Sequence, residues 1–325
     1  MKRRPCLKRN APMRSDLLST PDASLSDQDM VAKVAMQEAN EFSAMRADWK
    51  VRVARRVFQA GSKYTPNLMV SLVRLLFEKP KRYKAPERER ELLARAKAFQ
   101  IPTRHGLVQA WEWGEGPAVH LVHGWEGRGA QLGAIVDPLV ERGFRVVTWD
   151  APAHGQSPGF RASAMSFGHV VRDVAKELGM PFAVYAHSMG AIAVSVAIQE
   201  GYAPERFVYI SPGTAPDKPL RMVEQVLGVS SEVMQRFQTR MEELFGMDWE
   251  RIRDGALPEG FAPPLLMIHD RGDREVSFRT AERLQRNWPG SRLEFTNGLG
   301  HNRILRDEDV LARAVAFIAE TQAAD

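Results

Sequence analysis

The chain has 325 residues, 44% hydrophobic and 26% charged, an ordinary balance for a globular protein with enough volume to bury a sizeable core. A single cysteine, Cys6, excludes an intramolecular disulfide framework and a cysteine-based zinc site, and it fits a reducing, cytoplasmic setting. The pI near 9.4 invites a nucleic-acid partner, but residues 1–97 hold 22 Lys+Arg against 11 Asp+Glu while the rest of the chain holds 23 against 29. The main body is therefore mildly acidic, and no nucleic-acid face is expected on it.

Residues 1–26 are rich in Ser, Pro and charge and read as a disordered basic tail. "MKRRPCLKRNAPMR" is followed by no apolar core of a leader, and no uncharged apolar run of about 18 residues occurs anywhere, so neither secretion nor a membrane span is expected. Residues 27–97 read as a helical extension. One helix is expected from about Asp27 to Ala60, with Val31, Val34, Ala35, Phe42, Met45 and Trp49 at three- and four-residue spacings. A second is expected with Thr65 as its N-cap and Pro66 at its first position, and stops at Pro80. A third, opened by Pro86, runs through "ERERELLARAKAF". Within this extension, residues 50–84 carry ten Lys/Arg and one acid, Glu78, around Leu68, Met69, Val70, Leu72, Val73, Leu75, Leu76 and Phe77. Two readings compete: an arm packed on the main domain or on a second copy, or a peripheral contact with an anionic membrane. The first is the more ordinary fate of an apolar helical stripe.

From residue 98 the texture changes. "LVQAWEWG" reads as an antiparallel strand, and "PAVHLVHG", "FRVVTWD", "PFAVYAHS", "RFVYISPG", "PPLLMIHD" and "SRLEFTNG" follow as short apolar runs, most of them separated by helical patterns. This alternation predicts an α/β domain over 98–325 with a mostly parallel, doubly wound sheet. Gly143 and Gly179 fall where helix C-caps belong. The fifty or so residues between "YISPG" and "PPLLMI" are too many for a plain connection and read as two or three amphipathic helices, an insertion of about 213–262.

Ligands in such sheets bind at the carboxyl ends of the strands. There the chain places "HGWEG", "DAPAHGQS", "AHSMG", "HDRGDREV" and "GLGH", so that a serine, an acid and a histidine follow three different strands in the order Ser…Asp…His. In this combination the sequence resembles the α/β-hydrolase superfamily over residues 98–325. Three positions depart from the usual motifs: Ala186 stands for the first glycine of Gly-x-Ser-x-Gly, Ala153 for the glycine of Asp-x-Pro-Gly-His-Gly, and Asp270 for the glycine of His-Gly-x-x-Asp. The resemblance implies the α/β-hydrolase fold with a helical cap and a nucleophile elbow at Ser188. It makes His301 the base and Asp273 the acid that orients it. Asp270, on the same loop, and Asp217, after the preceding strand, remain rivals for the acid. Backbone N–H groups of Trp125 and Met189 would form the oxyanion hole. Met222, Met234, Phe237 and Met241 of the cap could line a pliable pocket or simply seal the cap onto the body. The expected activity is hydrolysis of a small-molecule acyl ester or thioester without metal or organic cofactor. An acyltransferase, a carbon–carbon bond hydrolase, or a non-catalytic binding protein on the same fold are the alternatives. Glu126, beside Trp125, has no role that the sequence discloses.

Overall fold

Eight strands form one sheet in the order β1-β2-β4-β3-β5-β6-β7-β8: β1 (Lys97–Thr103), β2 (Gly106–Trp113), β3 (Ala118–Val122), β4 (Arg145–Trp149), β5 (Ala183–His187), β6 (Arg206–Ile210), β7 (Leu265–Asp270) and β8 (Arg292–Thr296). β2 runs antiparallel to both of its neighbours, and every pairing from β4 to β8 is parallel. The computed structural model describes residues 26–214, 217–246, 250, 254–255 and 257–320. The basic tail expected before Ser26 and parts of the expected insertion lie outside these residues.

The apolar runs β3, β5, β6 and β7 sit in the middle of the sheet because both faces are covered. One face carries α6 (Ala164–Leu178), α7 (Met189–Gln199) and α10 (Arg279–Asn287), with Phe167, Val171, Val194 and Trp288 in the core. On the other face are α4 (Glu87–Ala94), α5 (Val136–Val140) and α12 (Glu308–Ala319), with Leu139, Val310, Phe317 and Ile318 packed beneath. Ser163 caps α6 by accepting from Ser166 N–H, and Gly179 ends that helix at φ 90°.

Before the sheet, the single helix expected over 27–60 is two: α1 (Asp27–Ala47) and α2 (Trp49–Tyr64), separated at Asp48. The break has a local cause, since Asp48 is extended and its carboxylate accepts Lys50 N–H at 2.7 Å, capping α2. The break also undoes the expected common face. Phe42 is buried, whereas Met45 and Trp49 are exposed. Pro66 opens α3 (Pro66–Glu78) as expected, but the Thr65 side chain makes no cap; its hydroxyl donates back to Gly61 O. The third helix is shorter than its pattern. α4 ends at Ala94, and "KAFQIPT" leaves the helix to pair with all of 106–112 as β1, with Ile101 buried against the core and Lys97 paired to Glu112 at 2.7 Å.

In the insertion, α8 (Asp217–Gln225) and α9 (Ser231–Phe245) pack against the extension. Met69 and Val73 of α3 meet Val223, Val229, Val233 and Phe237 in a small core of their own, with Phe77 tilted on Phe237 at a ring separation of 5.2 Å.

Candidate active site

β5 delivers Ser188 on a turn whose backbone is forced: Ser188 has φ 54° and ψ −122°, a region that L residues occupy only under constraint. Two hydrogen bonds and the helix start supply the constraint. Ser188 N–H donates to Ile210 O (3.1 Å), Ser188 O accepts Gly213 N–H (3.0 Å), and α7 starts immediately at Met189. The helix side must be glycine, because a Cβ on Gly190 would stand 2.4 Å from Val122 O. The strand side is less demanding. Ala186 points its methyl into the core beneath β5, so the missing first glycine of the elbow is accommodated by packing.

His301 opens toward the same point from α11 (Gly300–Arg303), the short helix after β8. Its Nδ1–H donates to Asp273 Oδ2 at 2.7 Å, and its Nε2 lies 3.0 Å from Ser188 Oγ. A carboxylate can only accept, so the proton is fixed on Nδ1 and Nε2 is left to accept the serine hydroxyl. The three residues drawn from separate strand ends thus form one chain of hydrogen bonds. Asp273 is held in turn by Glu275 N–H (2.8 Å) and Val276 N–H (3.0 Å) on its Oδ1. Burial opposes its charge, but hydrogen bonds from His269 and His301 outweigh that and keep its carboxyl well below the usual range.

Asp270, the rival acid, is turned elsewhere. Its Oδ1 accepts Gly272 N–H, and its Oδ2 accepts Thr296 Oγ1–H and Leu299 N–H, all three at 2.9 Å. It is a buried clamp between the end of β7 and the turn that leads into His301. Asp217 stands at the first residue of α8, and its side chain is outside what the structure describes.

Next to Ser188 runs the loop after β3. A Cβ on Gly124 would lie 2.9 Å from Ser188 Cβ, so His123, Gly124 and Trp125 pass directly beside the elbow. Two neutral imidazoles shape this loop. His123 donates from Nδ1 to Gly124 O (2.7 Å) and accepts Ala151 N–H at Nε2 (3.0 Å). His154 donates from Nδ1 to Pro152 O (2.9 Å) and accepts Glu126 N–H at Nε2 (3.0 Å). Burial pushes them down to about 3 and about 4 respectively, so both acceptor nitrogens stay unprotonated at neutral pH. His187, the residue before Ser188, is likewise pushed to about 3, first by burial and then by the charge of nearby His301. Its Nε2–H donates to His301 O at 3.0 Å, tying the His301 backbone to the elbow. Ala153 occupies the family's glycine position at φ 64°, the left-handed region where glycine is usual.

Glu126 has a role after all, one that only the tertiary structure reveals. The segment between α3 and α4 crosses this loop, and Glu126 accepts Lys81 N–H (3.0 Å) and Tyr83 O–H (3.3 Å). Arg82 donates to the carbonyls of Gly155 (3.0 Å), Ser157 (2.8 Å) and Gly159 (2.9 Å).

The Trp125 ring packs edge-on to His154 at 5.1 Å and leans on Phe167. The four cap residues named as pocket candidates lie on α8 and α9. Met234, Phe237 and Met241 lie in the small core shared with α3, and Met222 is half-buried on α8. Facing the back of the acid loop, α1 lines a cavity of about 400 Å³ with Val31, Val34 and Phe42, closed opposite by Arg271, Asp273 and Phe278.

Comparison with known proteins follows the same lines. A family model described as "Serine aminopeptidase, S33" matches residues 116–254. No curated protein matches the sequence. Among solved structures, the esterase Pf2001 of Pyrococcus furiosus is 20% identical, with a TM-score of 0.54 over 74% of this chain and 95% of its own. The esterase EaEST of Exiguobacterium antarcticum is 17% identical, with a TM-score of 0.52 over 69% of this chain and all of its own. A thioesterase domain from the curacin biosynthetic pathway is 16% identical, with a TM-score of 0.51 over 69% and 99%. Strand order, elbow and comparisons agree: the chain has the α/β-hydrolase fold.

Proposed function

We propose that the protein is a serine hydrolase that cleaves a carboxylic ester or thioester through an acyl-enzyme. The observation that carries this reading is the continuous relay Ser188 Oγ–His301 Nε2 at 3.0 Å and His301 Nδ1–Asp273 Oδ2 at 2.7 Å. A serine hydroxyl is hardly ionised at neutral pH, so attack on an acyl carbon requires a base in line with it. His301 takes the Ser188 proton as the Oγ–carbon bond forms and returns it to the departing alcohol or thiol as the acyl–oxygen or acyl–sulfur bond breaks. Water then attacks the acyl-enzyme, giving its proton to His301, which passes it back to Ser188 as the acid leaves. Asp273 stays charged throughout, holding the imidazole in its working tautomer and stabilising the imidazolium.

The tetrahedral oxyanion falls to the N–H groups of Met189, at the start of α7, and Trp125, beside the elbow. Support for ester chemistry comes from the esterase and thioesterase descriptions of the similar structures. The serine aminopeptidase match is consistent with the same relay acting on an acyl carbon.

Labelling with a fluorophosphonate tests the reading directly. The folded wild-type protein should be labelled, and Ser188→Ala should lose both the label and turnover of p-nitrophenyl esters, the latter by on the order of 10⁴-fold or more. A folded wild type that takes no label would leave a binding protein on a hydrolase fold.

A further inference from the structure

The extension shows two faces of unlike character. On its inner side, α2 is fastened to the cap: Arg55 donates to Gln225 O (2.7 Å) and Val226 O (3.0 Å), Ser62 Oγ accepts Ser230 N–H at 3.3 Å, and Phe58 packs on the α3–α9 core. On its outer side, Trp49, Val53, Val57, Ala60 and Tyr64 recur at intervals of four, four, three and four, which is one stripe of a helix. The four large ones are 63%, 52%, 55% and 73% exposed. This is not scattered surface apolarity. Of the 14 large hydrophobic residues exposed among the described residues, ten lie between Met36 and Tyr83. Leu68, Leu75 and Leu76 of α3 are among them.

Cations flank the stripe. By helical position, Arg52, Arg56 and Lys63 lie along one border and Lys50 along the other, and none of the four is in an ion pair among the described residues. Lys50 and Lys63 stand over the rings of Trp49 and Tyr64, at 5.9 and 5.3 Å, at the two ends of the helix. Residues 1–25 add six Lys/Arg against two Asp in sequence.

We infer that the outer face of α2 docks on an anionic lipid surface, with its axis parallel to the membrane. An apolar stripe bordered by Lys and Arg and carrying aromatic residues is what the headgroup region accommodates. The other occupants fit the charges or the stripe but not both. A second copy pairing through the same face would set these cations against themselves. Nucleic acid would satisfy the cations and leave four apolar side chains facing phosphates. No helix among the described residues is long and apolar enough to cross a bilayer, so the contact is peripheral, and it is independent of the chemistry at Ser188.

The test is co-sedimentation of the full chain with phosphatidylcholine vesicles, with and without phosphatidylglycerol. The wild type should pellet with the anionic vesicles and be released by salt. The pairs Val53→Glu with Val57→Glu, and Arg52→Glu with Arg56→Glu, should each cut partitioning at least tenfold while keeping the wild-type circular dichroism and melting temperature, since all four side chains are exposed. The docking is refuted if the folded wild type stays in the supernatant, or if the Val53/Val57 pair pellets undiminished. It is equally refuted if sedimentation velocity shows a lipid-free dimer that the Val53/Val57 pair dissociates, because the stripe then belongs to a second copy.

Discussion

Asp273 and Asp270 are three residues apart on one loop, both buried, and their hydrogen bonds assign them different work. Asp273 accepts from His301, whereas Asp270 accepts from Gly272, Thr296 and Leu299 and shapes the turn before His301. Asp273→Asn removes the charge that fixes the His301 tautomer, and kcat should fall by about 10⁴-fold with the fold intact. Asp270→Asn can no longer satisfy all three donors, so it should cost about 1–3 kcal/mol of stability and a smaller loss of kcat. A urea midpoint and a turnover number for each variant decide the matter; the opposite pattern reverses the assignment. At this scale much of the site was legible beforehand. Ser188 and His301 each follow a strand at the sheet's carboxyl edge, and the "GDREV" spacing put Asp273 in register with the family's acid. The clamp at Asp270 was not legible, because its partners lie 26 and 29 residues away on another strand's loop.

Among the elements, the parallel strands could be read because each is a short apolar run bounded by turn residues. β1 could not, since "ELLARAKAF" continues a helical pattern and only pairing with β2 pulls Lys97–Thr103 into the sheet. The long connection between α3 and α4 is the other element with a hidden function. Arg82 holds three carbonyls of the loop after β4, and Glu126 holds the backbone of Lys81, so the extension is stitched to that loop and to the one that passes beside Ser188. Arg82→Ala should free this segment, at a cost of about 1–3 kcal/mol, and trypsin should then cut after Lys81 or Lys84 several-fold faster than in the wild type. An unchanged cleavage rate would show that the stitch is not what orders the segment.

For the whole molecule, the buried imidazoles set the response to acid. His120, His123 and His187 are pushed down to about 3 and His154 to about 4, in each case chiefly by burial. Unfolded histidine titrates near 6.5. Below that pH the unfolded chain binds protons that the folded chain refuses, so the stability these groups provide is complete above about 6.5 and drains away as pH falls toward 4 and then 3. Each such histidine removes about 1.4 kcal/mol per pH unit across that window. Asp150 works the other way: burial pushes it up to about 6, so the folded chain gains a proton before the unfolded one does. Four groups against one leave a net loss. Unfolding free energies from urea titrations at pH 7.5 and pH 5 should therefore differ by several kcal/mol in favour of the higher pH, and equal values would contradict the burial of these rings.

The cap is gripped from outside as well as from below. Glu38 on α1 pairs with Arg221 at 2.7 Å, Glu41 reaches Lys218 at 3.5 Å, Arg55 on α2 holds the end of α8, and α3 shares a core with α9. Hinged opening of α8 and α9 alone would tear these contacts, so five helices must swing together or not at all. A spin label or fluorophore on the far side of α1 would consequently register any movement of α8 and α9, a remote handle that leaves the residues around Ser188 untouched.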